Sequence, residues 1–172
     1  MTERYYGIIV DKNVNKDIIS PKNNWMCNDF EIDGKLSGKG VYVLLMKFEV
    51  TREINIGRLG LISFRPGGYA YVGSAMGSFK GRLGYHLKKN KKQHWHIDYL
   101  LESAVISDVL TIETEVRLEC AIARALGERF ESIPGFGSSD CQCKSHLFFA
   151  ENAREMQLRA TEILNLLAMQ LK

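Results

Sequence analysis

The stretch GVYVLLMKFEV, residues 40–50, is the clearest strand signal in the chain. A continuous apolar run of this length, rich in β-branched and aromatic residues, is typical of a strand buried on both faces. Two more strands are predicted after it, at residues 53–64 and 69–75, with the turn RPGG between them. Glycines at 57 and 60 predict a bulge or turn within the second strand. Because the connections are short, we expect the three strands to form an antiparallel meander.

After Ser78 the spacing of the apolar residues changes from that of a strand to that of a helix. Phe79, Leu83 and Leu87 are spaced by four residues and predict a helix that Ser78 caps. Further helices are predicted over 95–101, 115–129 and near the end of the chain, whereas 104–112 is either a strand or an extended link. The resulting fold class is α+β, with a small central antiparallel sheet of three core strands flanked by helices.

The predicted organisation is one domain with two additions. Residues 1–39 are an N-terminal extension, 40–150 form the domain, and 151–172 form an amphipathic helix packed on the same domain. No apolar run reaches the roughly 18–20 residues of a membrane helix. The first residues also lack the pattern of a signal peptide. We therefore expect a soluble cytoplasmic protein with no membrane partner.

The charge of the 172-residue chain is unevenly distributed. Its formal net charge is +3, yet residues 54–97 contain no Asp or Glu. The same window holds eight basic residues: Arg58, Arg65, Lys80, Arg82, Lys88, Lys89, Lys91 and Lys92. Such a positive region attracts polyanions by releasing their counterions, although a solvated basic face is the plainer interpretation.

Two strand motifs, Gly40-Val41-Tyr42 and Tyr71-Val72-Gly73, resemble the paired motifs of the GIY-YIG nuclease superfamily. Arg82 and His86 follow four residues apart and share one face of the predicted helix. Glu119 lies on a later predicted helix, where that superfamily keeps its metal-binding carboxylate. Longer strings narrow the resemblance, over about residues 40–148, to an archaeal-type, uncharacterised GIY-YIG-like family. These strings are GRLG at 57–60, GYAYVGSA at 68–75, HWHIDYL at 94–100, EC at 119–120 and GFGSSDCQCKSHL at 135–147.

The resemblance implies an endonuclease that hydrolyses phosphodiesters of nucleic acid, with Mg²⁺ or Mn²⁺ held by Glu119. DNA is favoured over RNA as the expected substrate. Tyr42 is the implied general base, and Tyr71 or His86 relays its proton. Arg82 would grip the scissile phosphate through its planar guanidinium group. The predicted nucleic-acid-binding residues are Arg58, Lys80, Lys88, Lys89, Lys91 and Lys92. Nucleic acid is the expected partner, and no obligate protein partner can be inferred.

One departure from the superfamily pattern favours an alternative function. The superfamily usually carries an Asn after the metal-binding Glu, but no Asn lies between Glu119 and Asn152. Ser138, Ser139 or Asp140 would have to take its place. The alternative is a non-catalytic nucleic-acid-binding module that keeps the nuclease fold.

Cysteine and histidine residues indicate a second, competing metal site. The candidate ligands for Zn²⁺ are His94, His96, Cys120, Cys141, Cys143 and His146. Because Cys-Gln-Cys is not the usual Cys-x-x-Cys spacing, a packed loop with buried thiols is the favoured interpretation of this segment. A zinc-stabilised interaction protein is the third functional hypothesis.

Overall fold

The computed structural model describes residues 9–10, 38–88 and 90–171. The strands in these ranges are β1 (Ile9–Val10), β2 (Gly40–Phe48), β3 (Arg52–Asn55), β4 (Leu61–Phe64), β5 (Gly67–Ala75), β6 (Val105–Glu113), β7 (Glu131–Ser132) and β8 (Leu147–Ala150). The helices are α1 (Phe79–His86), α2 (His96–Leu100), α3 (Glu119–Gly127) and α4 (Ala153–Gln170). Apart from β1 and residues 38–39, the predicted N-terminal extension lies outside the described residues.

Six of the described strands form the main sheet, in the order β1-β6-β2-β5-β8-β7. Five of them are antiparallel neighbours, and β1 pairs with β6 in parallel at its edge. The α+β class with an antiparallel sheet is therefore confirmed. The predicted number of three core strands was wrong, because the described sheet also includes β1, β6, β7 and β8.

The predicted middle strand at 53–64 is a separate hairpin. Its two halves, β3 and β4, pair with each other around a 3-10 turn at Gly57–Leu59. Gly57 and Gly60 have φ angles of 48° and 75°, which glycine adopts at little cost, so the chain reverses here. The hairpin leaves β2 free to pair directly with β5 over nine residues. For residues 104–112 the sequence allowed either a strand or an extended link. In the structure these residues contain most of β6.

The sheet separates two apolar cores because side chains alternate along each strand. On one face, Tyr42 and Leu44 of β2 pack with α1, α2 and the β3–β4 hairpin. On the other face, Val41 and Val43 pack with α3 and α4. None of the helices in the described ranges combines the length and apolar character needed to cross a bilayer.

The ends of two helices follow from local sequence. The Ser78 hydroxyl accepts a hydrogen bond from the Gly81 amide at 3.0 Å, so α1 begins with the predicted cap. Asn152 caps α4 in the same way, accepting from the amides of Arg154 and Glu155. The two helices pack on opposite faces of the sheet, each through its own apolar core.

Gly73 is required by a close approach. It lies directly opposite Tyr42 in the β2–β5 register. A Cβ atom at position 73 would lie 2.3 Å from the Tyr42 hydroxyl oxygen and ring. The phenol of Tyr42 therefore occupies the space that a side chain would fill.

We expect Gly73→Ala to destabilise the fold by about 1–3 kcal/mol, because the added methyl group must displace the Tyr42 ring in a packed core. For a chain of this size, that loss lowers Tm by about 2–12 °C. Thermal unfolding followed by circular dichroism measures the shift.

Gly77→Ala is the matched control. A Cβ atom at Gly77 meets nothing within 4 Å, so this variant should stay within about 0.5 kcal/mol of wild type. Equal Tm values for the two variants would show that the Tyr42–Gly73 contact does not constrain the core.

Candidate functional site

Tyr42 and Tyr71 come together on one face of the β2–β5 pair. Leu44 lies opposite Tyr71 in the register, so the two tyrosines are diagonal neighbours on the same face. Their ring centroids are 6.4 Å apart, and the rings are tilted by 51°. Both side chains are buried, at 1% and 6% exposure. The sheet thus supplies a fixed pair of phenols.

A chain of buried hydrogen bonds runs from Tyr42 through His86 to Asp98. The Tyr42 hydroxyl lies 2.8 Å from His86 Nε2, and His86 Nδ1 lies 2.9 Å from Asp98 Oδ1. Because a carboxylate only accepts, Nδ1 carries the proton and Nε2 accepts from Tyr42. The chain therefore has the order of a carboxylate, an imidazole and a hydroxyl that recurs in proton-transfer sites.

Asp98 is a fully buried charge with several donors around it. Lys91 Nζ lies 2.8 Å from its Oδ1, and the amides of His94 and Trp95 donate to Oδ2 at 3.1 and 3.0 Å. Burial alone would raise the pKa of this carboxyl. The hydrogen bonds from His86, Lys91 and the two amides outweigh burial and hold the pKa well below its usual range. Asp98 is therefore ionised and orients His86.

The two phenols and His86 remain neutral near pH 7. Burial raises the pKa of Tyr42 well above its usual value, and burial also raises the pKa of Tyr71. Burial lowers the pKa of His86 despite the neighbouring carboxylate of Asp98. No standing phenolate is present in this arrangement, so ionising Tyr42 requires a nearby cation or a proton acceptor.

Arg82 and Glu119 lie close enough to act electrostatically on both phenols. The charge of Arg82 lowers the pKa of Tyr42 and of Tyr71, and the charge of Glu119 raises both. Arg82 is partly exposed, and its guanidinium carbon lies 4.3 Å from the centroid of the Trp95 ring. The charges of Arg82 and Glu119 therefore act on the same two phenols, one of which, Tyr42, is hydrogen-bonded to His86.

Glu119 also contacts a cluster of sulfur and nitrogen atoms. Its Oε1 lies 3.0 Å from His146 Nδ1, and His146 Nε2 lies 3.4 Å from the sulfur of Cys141. The sulfurs of Cys120, Cys141 and Cys143 and a nitrogen of His146 all lie within 4.8 Å of one another. Burial and the neighbouring thiols raise the pKa of Cys143 to about 12. The predicted ligands His94 and His96 are not members of this cluster.

The loop at residues 133–146 packs beside Tyr71. Phe136 is fully buried, and its ring lies 6.0 Å from that of Tyr71 in a T-shaped contact. The Gly137 amide donates to His96 Nδ1 at 3.0 Å, which ties the loop to α2. Gly137 has a φ angle of 70°, and a Cβ atom there would lie 2.9 Å from the Tyr71 ring. The loop thus packs on both the phenol pair and α2.

The predicted nucleic-acid-binding residues fall into two groups. Arg58, Lys80, Lys88 and Lys92 are exposed, and Lys89 lies outside the described residues. Lys91 is directed inward: its side chain is 6% exposed and its ammonium bonds Asp98. The exposed residues of this window are therefore the ones that can meet a polyanion.

Sequence reasoning assigned no role to Asp98, although one signal was present. Asp98 is the first acidic residue after Glu53, and it follows the whole basic window. A single carboxylate in that position is a natural partner for the imidazole and ammonium groups that precede it. Its pairing with His86 and Lys91 depends on how α1 and α2 fold together.

Comparison with known proteins identifies a family. The site lies in an α+β domain, and a family model described as "Domain of unknown function DUF123" matches residues 41–169. This match covers most of the chain, so the chain belongs to that family. Neither the curated proteins nor the solved structures contain a match.

We expect Asp98→Asn to destabilise the protein by about 3–5 kcal/mol at pH 7, because the Lys91 ammonium then stays buried without its carboxylate. The free energy of unfolding of this variant should also depend less on pH than that of wild type. In wild type the folded pKa of Asp98 is depressed, so its stabilisation is present above about pH 4 and is lost as the pH falls further. Urea unfolding between pH 7 and pH 3 measures both effects.

Asp140→Asn is the control for this substitution, because Asp140 is exposed. It should keep the wild-type pH dependence and change stability by less than about 0.5 kcal/mol. If Asp98→Asn keeps the wild-type slope below pH 4, the buried carboxylate does not carry the acid sensitivity.

Proposed function

We propose that this protein is a metal-dependent nuclease of the GIY-YIG type, which hydrolyses phosphodiesters of nucleic acid, with DNA favoured over RNA as the assigned substrate. The observation that carries the proposal is a buried group of two phenols and an imidazole, with a guanidinium and a carboxylate whose charges act on both phenols. These groups belong to Tyr42, Tyr71, Arg82, His86 and Glu119. The strand motifs that resemble the GIY-YIG superfamily supply the two phenols.

Glu119 is suited to hold Mg²⁺ or Mn²⁺. Mg²⁺ is often held by one or two carboxylates, with waters and substrate phosphates completing its shell. One oxygen of Glu119 bonds His146, and no hydrogen bond from the described residues reaches the other. The side chain is 28% exposed. The bound metal would supply Lewis acidity at the scissile phosphate.

Arg82 is suited to bind the scissile phosphate. Its guanidinium is partly exposed beside the phenols, and the Trp95 ring limits its orientation. A planar fork of donors matches two phosphate oxygens and neutralises charge that develops during the reaction.

Tyr42 and His86 are suited to move a proton together. The raised pKa of Tyr42 disfavours a standing phenolate. The proposed step therefore transfers a proton from the attacking water to the Tyr42 oxygen while the Tyr42 proton moves to His86 Nε2. The buried carboxylate of Asp98 stabilises the imidazolium that forms. Tyr71 lies beside this path, with its ring centroid 6.4 Å from that of Tyr42.

Nicking of supercoiled plasmid in Mg²⁺ or Mn²⁺ tests the proposal. We expect wild type to nick, and we expect Tyr42→Phe, Arg82→Ala and Glu119→Gln each to lower the rate by at least about 10²-fold, because each removes a proton-transfer or charge-stabilising group. Tyr69→Phe is the control, since it removes a buried phenol from the same face of β5. An intact plasmid with wild type, or nicking that survives all three changes, overturns the nuclease assignment.

A non-catalytic nucleic-acid-binding module is the second proposal, favoured by the deep burial and raised pKa values of both phenols. We expect labelled duplex DNA to bind with a strong salt dependence. Lys88→Ala and Lys92→Ala should each reduce the slope of log affinity against log salt by about 1. Fluorescence anisotropy at several salt concentrations measures this.

Lys39→Ala is the control for the binding assay, since Lys39 pairs with Glu115 and lies outside the basic window. Tight binding without cleavage, unchanged in Glu119→Gln, would favour the binding module over the nuclease. Absence of salt-dependent binding would contradict both proposals.

A further inference from the structure

Four potential metal ligands converge between α3 and the loop at residues 133–146. Cys120 lies in the first turn of α3, Cys141 and Cys143 lie in the loop, and His146 immediately precedes β8. Their ligand atoms lie within 4.8 Å of one another. Three thiols and one imidazole form a donor set that metalloproteins use for tetrahedral Zn²⁺.

His146 is held in the orientation that a metal ligand needs. Its Nδ1 faces Glu119 Oε1 at 3.0 Å, and because a carboxylate only accepts, Nδ1 carries the proton. Nε2 therefore presents its lone pair toward Cys141, whose sulfur lies 3.4 Å away. A carboxylate bonded to the far nitrogen of a histidine is the usual support of a zinc-bound imidazole.

The dimensions of the cluster agree with tetrahedral zinc. Bond lengths of about 2.3 Å to sulfur and 2.0–2.1 Å to nitrogen imply separations of about 3.8 Å between sulfurs and about 3.5 Å between sulfur and nitrogen. The contact of Cys141 with His146 is already 3.4 Å, and the remaining pairs lie within 4.8 Å. Small side-chain rotations would therefore complete the site.

We propose that Cys120, Cys141, Cys143 and His146 bind one Zn²⁺, with Glu119 as the residue that positions His146. Four protein ligands close the coordination sphere, so this zinc is structural. It joins the loop to α3 and fixes Glu119 beside the two phenols. The proposal goes beyond the phosphodiesterase assignment and does not depend on it, because zinc content is measured without any cleavage reaction.

The experiment is elemental analysis of the protein purified under reducing conditions and then treated with one equivalent of Zn²⁺ and desalted. We expect one zinc per wild-type chain. Cys141→Ser and His146→Ala should lose most of it, because each removes a ligand. Glu119→Gln should retain the site with an affinity about 10–100-fold weaker, as for other residues that orient a metal ligand.

His94→Ala is the matched control for His146→Ala. It removes an exposed imidazole that is not among the four proposed ligands, and it should keep one zinc. If the ligand variants do not fold, Co²⁺ binding to wild type provides the second measurement. A stoichiometric thiolate-to-cobalt charge-transfer band supports the site.

Three outcomes would overturn the proposal. The first is wild-type protein that binds neither Zn²⁺ nor Co²⁺ in stoichiometric amount. The second is a disulfide between two of the three clustered cysteines, detected by mass spectrometry of protein purified without reductant and stable during zinc treatment. The third is full zinc retention in both Cys141→Ser and His146→Ala.

Discussion

The nine-residue pairing of β2 with β5 is the constraint on which the candidate site depends. It sets Tyr42 opposite Gly73 and Tyr71 two positions away on the same face. A shift of one strand by one residue would turn the phenol of that strand toward α3 and α4 and separate it from the other phenol, because successive side chains point to opposite faces. The glycine also leaves the space that the Tyr42 ring fills. The register of the β2–β5 pair therefore determines the relative positions of the two phenols.

Burial of polar groups on this face requires that they satisfy one another. Tyr42, His86 and Asp98 are almost entirely buried, and an unpaired polar group there would cost about 1–3 kcal/mol. The hydrogen bonds among them remove that cost and also order the proton positions. Lys91 balances the carboxylate charge. The same contacts thus satisfy the buried polar groups and place the proton of His86 on Nδ1, next to Asp98.

Much of the local structure could be predicted from sequence. Long apolar runs identified β2 and β5, and Ser78 with its apolar spacing identified α1. The direct pairing of β2 with β5, which leaves the β3–β4 hairpin outside the main sheet, could not be predicted. It depends on burial, since β3 is largely exposed whereas β2 and β5 are buried. Strand β8 is only four apolar residues, too short to show a period.

The residues of the candidate site also divide into those that the sequence could predict and those that it could not. The candidate residues Tyr42, Tyr71, Arg82, His86 and Glu119 were predicted from the order of motifs that resemble the GIY-YIG superfamily. The partnership of Asp98 with Lys91 crosses between α2 and the segment before it. Cys120 belongs to the sulfur cluster and His94 does not, and only the three-dimensional positions of the two residues show this. Contacts between elements that are far apart in sequence leave no periodic signal, so they become visible only in the fold.

The position of Glu119 follows from the loop more than from its own helix. Helix α3 has nine residues, and Leu118 at its N-cap makes no side-chain capping bond. The start of such a helix is poorly held by local interactions, since its first amides lack partners. The bond from His146 to Glu119 and the neighbouring sulfurs supply the missing constraint. The same loop packs Phe136 against Tyr71. Because the loop contacts both Glu119 and Tyr71, a single segment constrains the positions of the carboxylate and the second phenol.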